Sequence, residues 1–197
     1  MIFMNGDPPT AATVQRLGPA WASAYRTLML QAYSLHPEAF TSSAEERGAL
    51  PLSWWASRLS ADERADEVVF GAVLQDALAG VVGLSFESRD KVRHKATLFG
   101  MAVGSPWRRH GIGGRLVAAA LAHARARPPT RLVQLTVTEG NDGARSLYER
   151  AGFLAFGVEP CAMQVGGRFL GKVHMWCDLG LPAGAMDDNA RRSPGPP

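Results

Sequence analysis

Two periods alternate along the chain. Thr13 to Leu17 reads as a first strand, and from Pro19 the residues Trp21, Tyr25, Leu28, Ala32 and Leu35 recur at helical spacing. Proline suits the start of that helix, and Pro37 requires it to stop just before. Ser42 and Ser43 each precede a glutamate by three positions, the pattern of a capped short helix, and a further short helix carries Trp54, Trp55 and Leu59. Glu67 to Gln75 and Leu78 to Ser88 read as two strands around a tight connection at Asp76 and Ala77, hence a β-hairpin. Ala96 to Val103 is the next strand, reached through the charged turn Arg89 to Lys95. A long alanine-rich helix ending near Ala126 and a strand from Leu132 to Val137 follow.

After Gly140, the residues Ala144, Leu147, Tyr148 and Ala151 lie at i, i+3, i+4 and i+7, so one helix face is expected to be buried. Asn141 or Asp142 can cap its start, and Gly152 suits the left-handed residue past its end. Phe153 to Val165 and Arg168 to Leu179 form a last hairpin turning at Gly166 and Gly167. Antiparallel strands followed by a strand, helix, strand crossover predict a mixed sheet with a helix crossing over on one face. The expected organisation is a flexible leader over 1–11, one folded domain over 12–181 and a disordered tail over 182–197, which is rich in Pro, Gly, Asp and Arg without an apolar period.

The stretch between Leu98 and Ala126 is chemically the most informative. A strand that feeds a glycine-rich turn opening a helix leaves several backbone N–H groups pointing at one small volume, with the positive end of the helix dipole behind them. That is a seat for phosphate. Arg108, Arg109 and Arg115 add positive charge, and Gly111 and Gly113 are read as letting a ligand approach the backbone. A third glycine three residues further on, as in the dinucleotide fingerprint, is absent, and so is the Lys-Ser/Thr pair of a nucleotide triphosphate loop.

What remains, Arg108-x-x-Gly111-x-Gly113, resembles the pyrophosphate signature of the GNAT superfamily, the acyl-CoA-dependent N-acyltransferases. Asn141-x-x-Ala144-x-x-x-Tyr148 followed by Gly152-Phe153 resembles the second signature of the same superfamily, in the expected order. The resemblance covers roughly Thr13 to Leu179. It implies an α/β (α+β) GNAT fold, a central mixed and mostly antiparallel sheet of about seven strands flanked by helices. It also implies acetyl-CoA as acyl donor and transfer of an acetyl group to a primary amine by direct attack in a ternary complex. In such a fold Met101, Ala102 and Val103 open away from the parallel neighbour and pair with the pantetheine arm, while N–H groups from Arg109 through His110, Gly111, Ile112 and Gly113 to Gly114 hold the pyrophosphate. Tyr148 is then the candidate general acid for the sulfur, since a phenol is protonated at neutral pH. Asn141 would orient the cofactor or a neighbouring strand, with helix capping as its other reading. Phe40, Trp54 and Trp55 either line the acceptor site or pack the core, packing being the commoner use of aromatics at helical spacing. The strand before the phosphate turn carries no carboxylate, so the base is sought among Glu87, His94, Glu159 and His174. A catalytically silent acyl-CoA-binding regulatory module shares the turn and is the second reading.

Composition narrows the setting. At 197 residues, with 46% hydrophobic and 20% charged residues, the chain fits one globular domain. Its net charge is +3, and 18 of its 21 basic residues are Arg, scattered rather than clustered, so nucleic-acid binding is not indicated. There is no apolar run near the roughly 20 residues of a membrane span, and the N-terminus lacks a signal-peptide layout, which makes the cytoplasm the default compartment. No Cys/His spacing of a zinc site occurs, so no metal is expected. Simple hairpin register places Cys161 opposite Lys172 and Cys177 opposite Phe156, too far apart to bridge. The expected partners are acetyl-CoA and an amine acceptor, with a homodimer left open.

Overall fold

The computed structural model describes residues 12–180; the leader at 1–11 and the tail at 182–197 lie outside the described residues. Strand β1 (Thr13–Arg16) leads through a 3-10 turn at Pro19–Trp21 into helix α1 (Ala22–Leu35). A second 3-10 turn at Pro37–Ala39 precedes α2 (Ala44–Gly48) and α3 (Leu52–Ser57). Ser43 is the cap chosen at α2: its hydroxyl accepts from Glu46 N–H while the Glu46 carboxylate accepts from Ser43 N–H. The hairpin β2 (Glu67–Leu74) and β3 (Ala77–Phe86) turns on Gln75 and Asp76, both at positive φ, one residue earlier than the sequence predicts. Then come β4 (Lys95–Val103), α4 (Ile112–Arg125), β5 (Leu132–Thr138), α5 (Asp142–Arg150), β6 (Leu154–Val165) and β7 (Arg168–Asp178). No helix among the described residues is long and apolar enough to cross a membrane.

The seven strands form one sheet in the order β1-β2-β3-β4-β5-β7-β6, antiparallel except for β4 with β5. Because β2 and β3 are covered on both faces, their residues are buried almost without interruption, and alternate side chains feed two cores. On one face Val68, Phe70, Val82 and Leu84 pack with Leu116, Val117, Ala120 and Leu121 of α4. On the other, Val69 and Val81 pack with Tyr25, Leu28 and Met29 of α1 and with Trp55 and Leu59. Leu35, predicted to continue the buried stripe of α1, is instead exposed as the last helical residue.

Two irregularities shape the region where the motifs meet. Opposite Val82, strand β4 carries an extra residue around Gly100, which sits at φ +59. The parallel pairing of β4 with β5 covers only Lys95 to Thr97 against Leu132 to Gln134; beyond that the two strands part. In the last hairpin the register slips between Ala155 and Gly157 and again between Glu159 and Met163. Glu159, not Cys161, therefore stands opposite Lys172, and Cys177 is no longer opposite Phe156. Both cysteines are free, Cys161 exposed on the bulge and Cys177 buried.

Candidate active site

The start of α4 is built as the sequence predicts. Gly111 takes the left-handed conformation (φ +74) at the cap, and Arg109 is also at positive φ. The first intrahelical bond there is donated by Arg115 N–H to the Gly111 carbonyl, so the N–H groups of Ile112, Gly113 and Gly114 have no partner within the helix. They border a cavity of about 860 Å³ running between the C-terminal end of β4, the start of α4 and the start of α5. Met101, Ala102, Val103, Arg108, Arg109, Gly111, Ile112, Gly113, Gly114 and Asn141 all line it. His110 does not: its ring nitrogen Nδ1 bonds to the Arg108 carbonyl at 2.8 Å.

Several of these residues have work other than that expected. A Cβ on Gly113 would meet Leu147 and Met101 at 3.2 and 3.3 Å, so this glycine lets α4 approach its neighbours, whereas a Cβ on Gly111 or Gly114 would meet nothing. Arg115 turns away and donates to the Ala12 carbonyl. Arg108 spans the cavity wall, donating from Nε to the Val103 carbonyl at 3.0 Å and bonding through a terminal nitrogen to His36 Nε2 at 2.7 Å. Asn141 caps α5 by accepting from Ala144 N–H, and it lines the cavity as well. Arg150 and Arg168 line the cavity too, and sequence reasoning missed them. Arg168 arrives from the tip of the last hairpin, a placement that no local spacing signals.

Tyr148 lies on the inner face of α5, buried, with its ring edge-on to Phe153 at 5.8 Å between centroids. It does not line the cavity; its helix neighbours Ala144 and Leu147 do. Burial pushes its pKa up to about 12, and burial does the same to Tyr25 against the opposing pull of Arg58. Both phenols ionise near ~10 in an unfolded chain. Since each folded value lies above the unfolded one, the stability they contribute is present below pH ~10 and is lost as pH rises through about 12. Each is worth ~2–3 kcal/mol by that linkage. Urea unfolding at pH 9 and pH 12 is therefore expected to differ by several kcal/mol, and equal midpoints would refute the assignment.

A second cavity, of about 320 Å³, opens where β4 and β5 part. Thr97, Phe99 and Gly100 of β4, Gln134 and Thr136 of β5, Phe156 of β6 and Lys172 and His174 of β7 line it. Ala39 and Phe40 line both cavities, and β4 contributes residues up to Gly100 to one and from Met101 to the other, so the two meet at the bulge. Of the proposed bases, His174 is inside, with Nε2 3.2 Å from the Glu159 carboxylate. Glu87 and His94 lie at the opposite end of the sheet, Glu87 paired with Arg89 at 3.1 Å and His94 just before β4 begins. Trp55 is core, packed edge-on to Tyr25, and the Trp54 ring carries the guanidinium groups of both Arg47 and Arg58 over it. Of the three aromatics considered for the acceptor site, only Phe40 reaches a cavity.

No curated protein matches the chain. Among solved structures, the acetyltransferase of the GNAT family from Streptococcus pneumoniae superposes with a TM-score of 0.71 at 22% identity, over 84% of this chain and 98% of that one. The ribosomal-protein-alanine N-acetyltransferase from Brucella melitensis gives a TM-score of 0.69 at 22% identity, over 84% and 99%. The yncA structure from Salmonella typhimurium, which carries acetyl-CoA, gives 0.72 at 18% identity, over 90% and 99%. These likenesses concern the fold. A model of the acetyltransferase (GNAT) family matches residues 29–153, most of the chain and both glycine-bearing motifs. With the seven-stranded sheet, the bulged β4 and the open helix start all in place, the chain belongs to the GNAT family of acetyltransferases.

Proposed function

We propose that the protein transfers an acetyl group from acetyl-CoA to a primary amine, and that the two cavities hold donor and acceptor. The observation that carries this reading is their meeting at Gly100 and Met101, where β4 has left its parallel partner and offers unpaired backbone. The larger cavity fits a phosphate-bearing donor: three unsatisfied N–H groups, open space at Gly111 and Gly114, and the guanidinium groups of Arg109, Arg150 and Arg168. When bound, acetyl-CoA supplies the thioester. Gly111 to Gly114 hold its phosphates, and Met101 to Val103 align its arm and polarise the acyl oxygen.

His174 takes the proton that the amine gives up as its nitrogen bonds to the acyl carbon. Glu159 accepts from Nε2, which fixes the tautomer and leaves the Nδ1 lone pair for that proton. Tyr148, set behind Ala144 and Leu147 of the cavity wall, is assigned the proton that returns to the sulfur as the C–S bond breaks, a role that requires its hydroxyl to reach the cavity once donor is bound; its raised pKa keeps the hydroxyl a donor throughout the neutral range. Arg108 occupies Nε2 of His36, so that nitrogen is not free to act as base.

Gly114→Val tests the donor site. The added side chain points into open space, so the ligand-free variant should melt as the wild type does. Acetyl-CoA at 100 times its dissociation constant stabilises a protein by ~2.7 kcal/mol, a rise of about 5–10 °C in Tm for a domain of this size. The wild type is expected to show that rise and Gly114→Val to lose most of it. An equal shift in both proteins refutes the phosphate seat. Thiol release from acetyl-CoA with a panel of amines then separates a working transferase from a silent acyl-CoA-binding module.

A further inference from the structure

Apart from tyrosine, tryptophan and cysteine, the buried polar side chains among the described residues are two, Thr138 and Lys172, and they are bonded to each other. Lys172 Nζ donates to Thr138 Oγ1 at 2.8 Å, and Thr138 in turn donates to the Glu38 carbonyl at 2.7 Å. No carboxylate among the described residues forms a salt bridge with Lys172. Its cross-strand neighbour Glu159 is engaged by His174 instead. An ammonium withdrawn from water in this way is costly. Burial pulls its pKa down, only partly opposed by Glu159.

The cavity that Lys172 lines has a matching composition. Its other polar walls are Thr41, Thr97, Gln134, Thr136 and His174, and no Asp or Glu lines it. A site for a diamine or a lysine side chain would present a carboxylate to the distal ammonium, and this one presents a cation and neutral donors. At about 320 Å³ it lies at the small end of the range for small-molecule sites.

We propose that the acceptor is a free amino acid, its carboxylate seated on Lys172 and its amine directed at the junction of the two cavities. This rests on the acetyltransferase reading above and deepens it. Lys172 and His174 lie two residues apart on one strand and so share a face of the sheet, which places the carboxylate and the amine of one short molecule beside the cation and the base respectively.

The test compares free L-amino acids, their primary amides and the matching decarboxylated amines, first for binding by calorimetry and then for thiol release from acetyl-CoA. With the wild type, at least one free acid is expected to bind and to exceed its amide about 100-fold in kcat/KM. Lys172→Met, which removes a buried charge and keeps the chain length, should melt at or above the wild-type temperature. It should raise KM for the acid far more than for the amide and so erase most of the preference. Acid and amide binding alike, neither binding, or an undiminished preference in Lys172→Met each overturn the proposal. Because binding is read without turnover, an acid that binds but releases no thiol points to failure of the transferase reading alone. The wild-type comparison decides the question even should Lys172→Met fail to fold.

Discussion

Replacing Tyr148 by phenylalanine is expected to lower kcat about 10²- to 10⁴-fold, the usual contribution of a positioned general acid, with acetyl-CoA affinity nearly intact. The ring that packs against Phe153 remains, and the variant loses only a hydroxyl that bonds to no described residue, so the melting temperature should stay close to that of the wild type. The defect belongs in kcat because the proton is needed only as sulfur takes charge. It should shrink with an acyl donor whose leaving thiol is more acidic. Steady-state kinetics on the best acceptor, paired with a cofactor titration, check all three. Full activity would remove the acid assignment, and a joint fall in affinity and melting temperature would make Tyr148 a packing residue.

His174→Gln is the second large effect. Glutamine can still donate to Glu159 but cannot take up a proton, so turnover at neutral pH is expected to drop by a similar ~10²- to 10⁴-fold. The deficit should narrow as pH rises toward the amine's own pKa, because more of the acceptor then arrives neutral and needs no base. A pH profile of kcat/KM for both proteins measures this. A variant within twofold of the wild type at every pH would hand the proton to solvent and leave His174 a wall of the cavity.

The sequence is most informative about this molecule where function depends on local backbone. The turn at Gly111 and the cap at Asn141 are set by residues within one helical turn of each other, and both form as their spacing implies. Side-chain traffic between distant segments is another matter. Arg108 and Arg115 read alike beside the glycines, yet one straps β4 to His36 at the end of α1 and the other reaches back to Ala12 just before β1, because each finds its partner only after folding. Gly113 reads as a ligand glycine and is a packing glycine as well, since Leu147 comes from a helix about thirty residues on. Lys172 escaped notice because a lysine in an alternating strand reads as its wet side. Two bulges in the partner strand, invisible to a simple register count, set what stands opposite it. Period-two alternation does place Lys172 and His174 on one face, and that signal was available.

The three residue pairs that join β4 to β5 divide the sheet mechanically as well as chemically. Strands β1 to β4 form one plate and β5, β7 and β6 another, paired directly only from Lys95 to Thr97 and otherwise joined through the shared core under α4. Any twist of one plate against the other is therefore resisted least at the cavities, and a molecule bridging the gap adds the missing stitches. The amides of the upper halves that face the gap, rather than β3 or β7, should accordingly exchange fast in the free protein and slowly when donor is bound, while the amides of Ala96 and Thr97 at the seam change little. A donor seated in the gap would complete the secondary structure of the sheet that binds it.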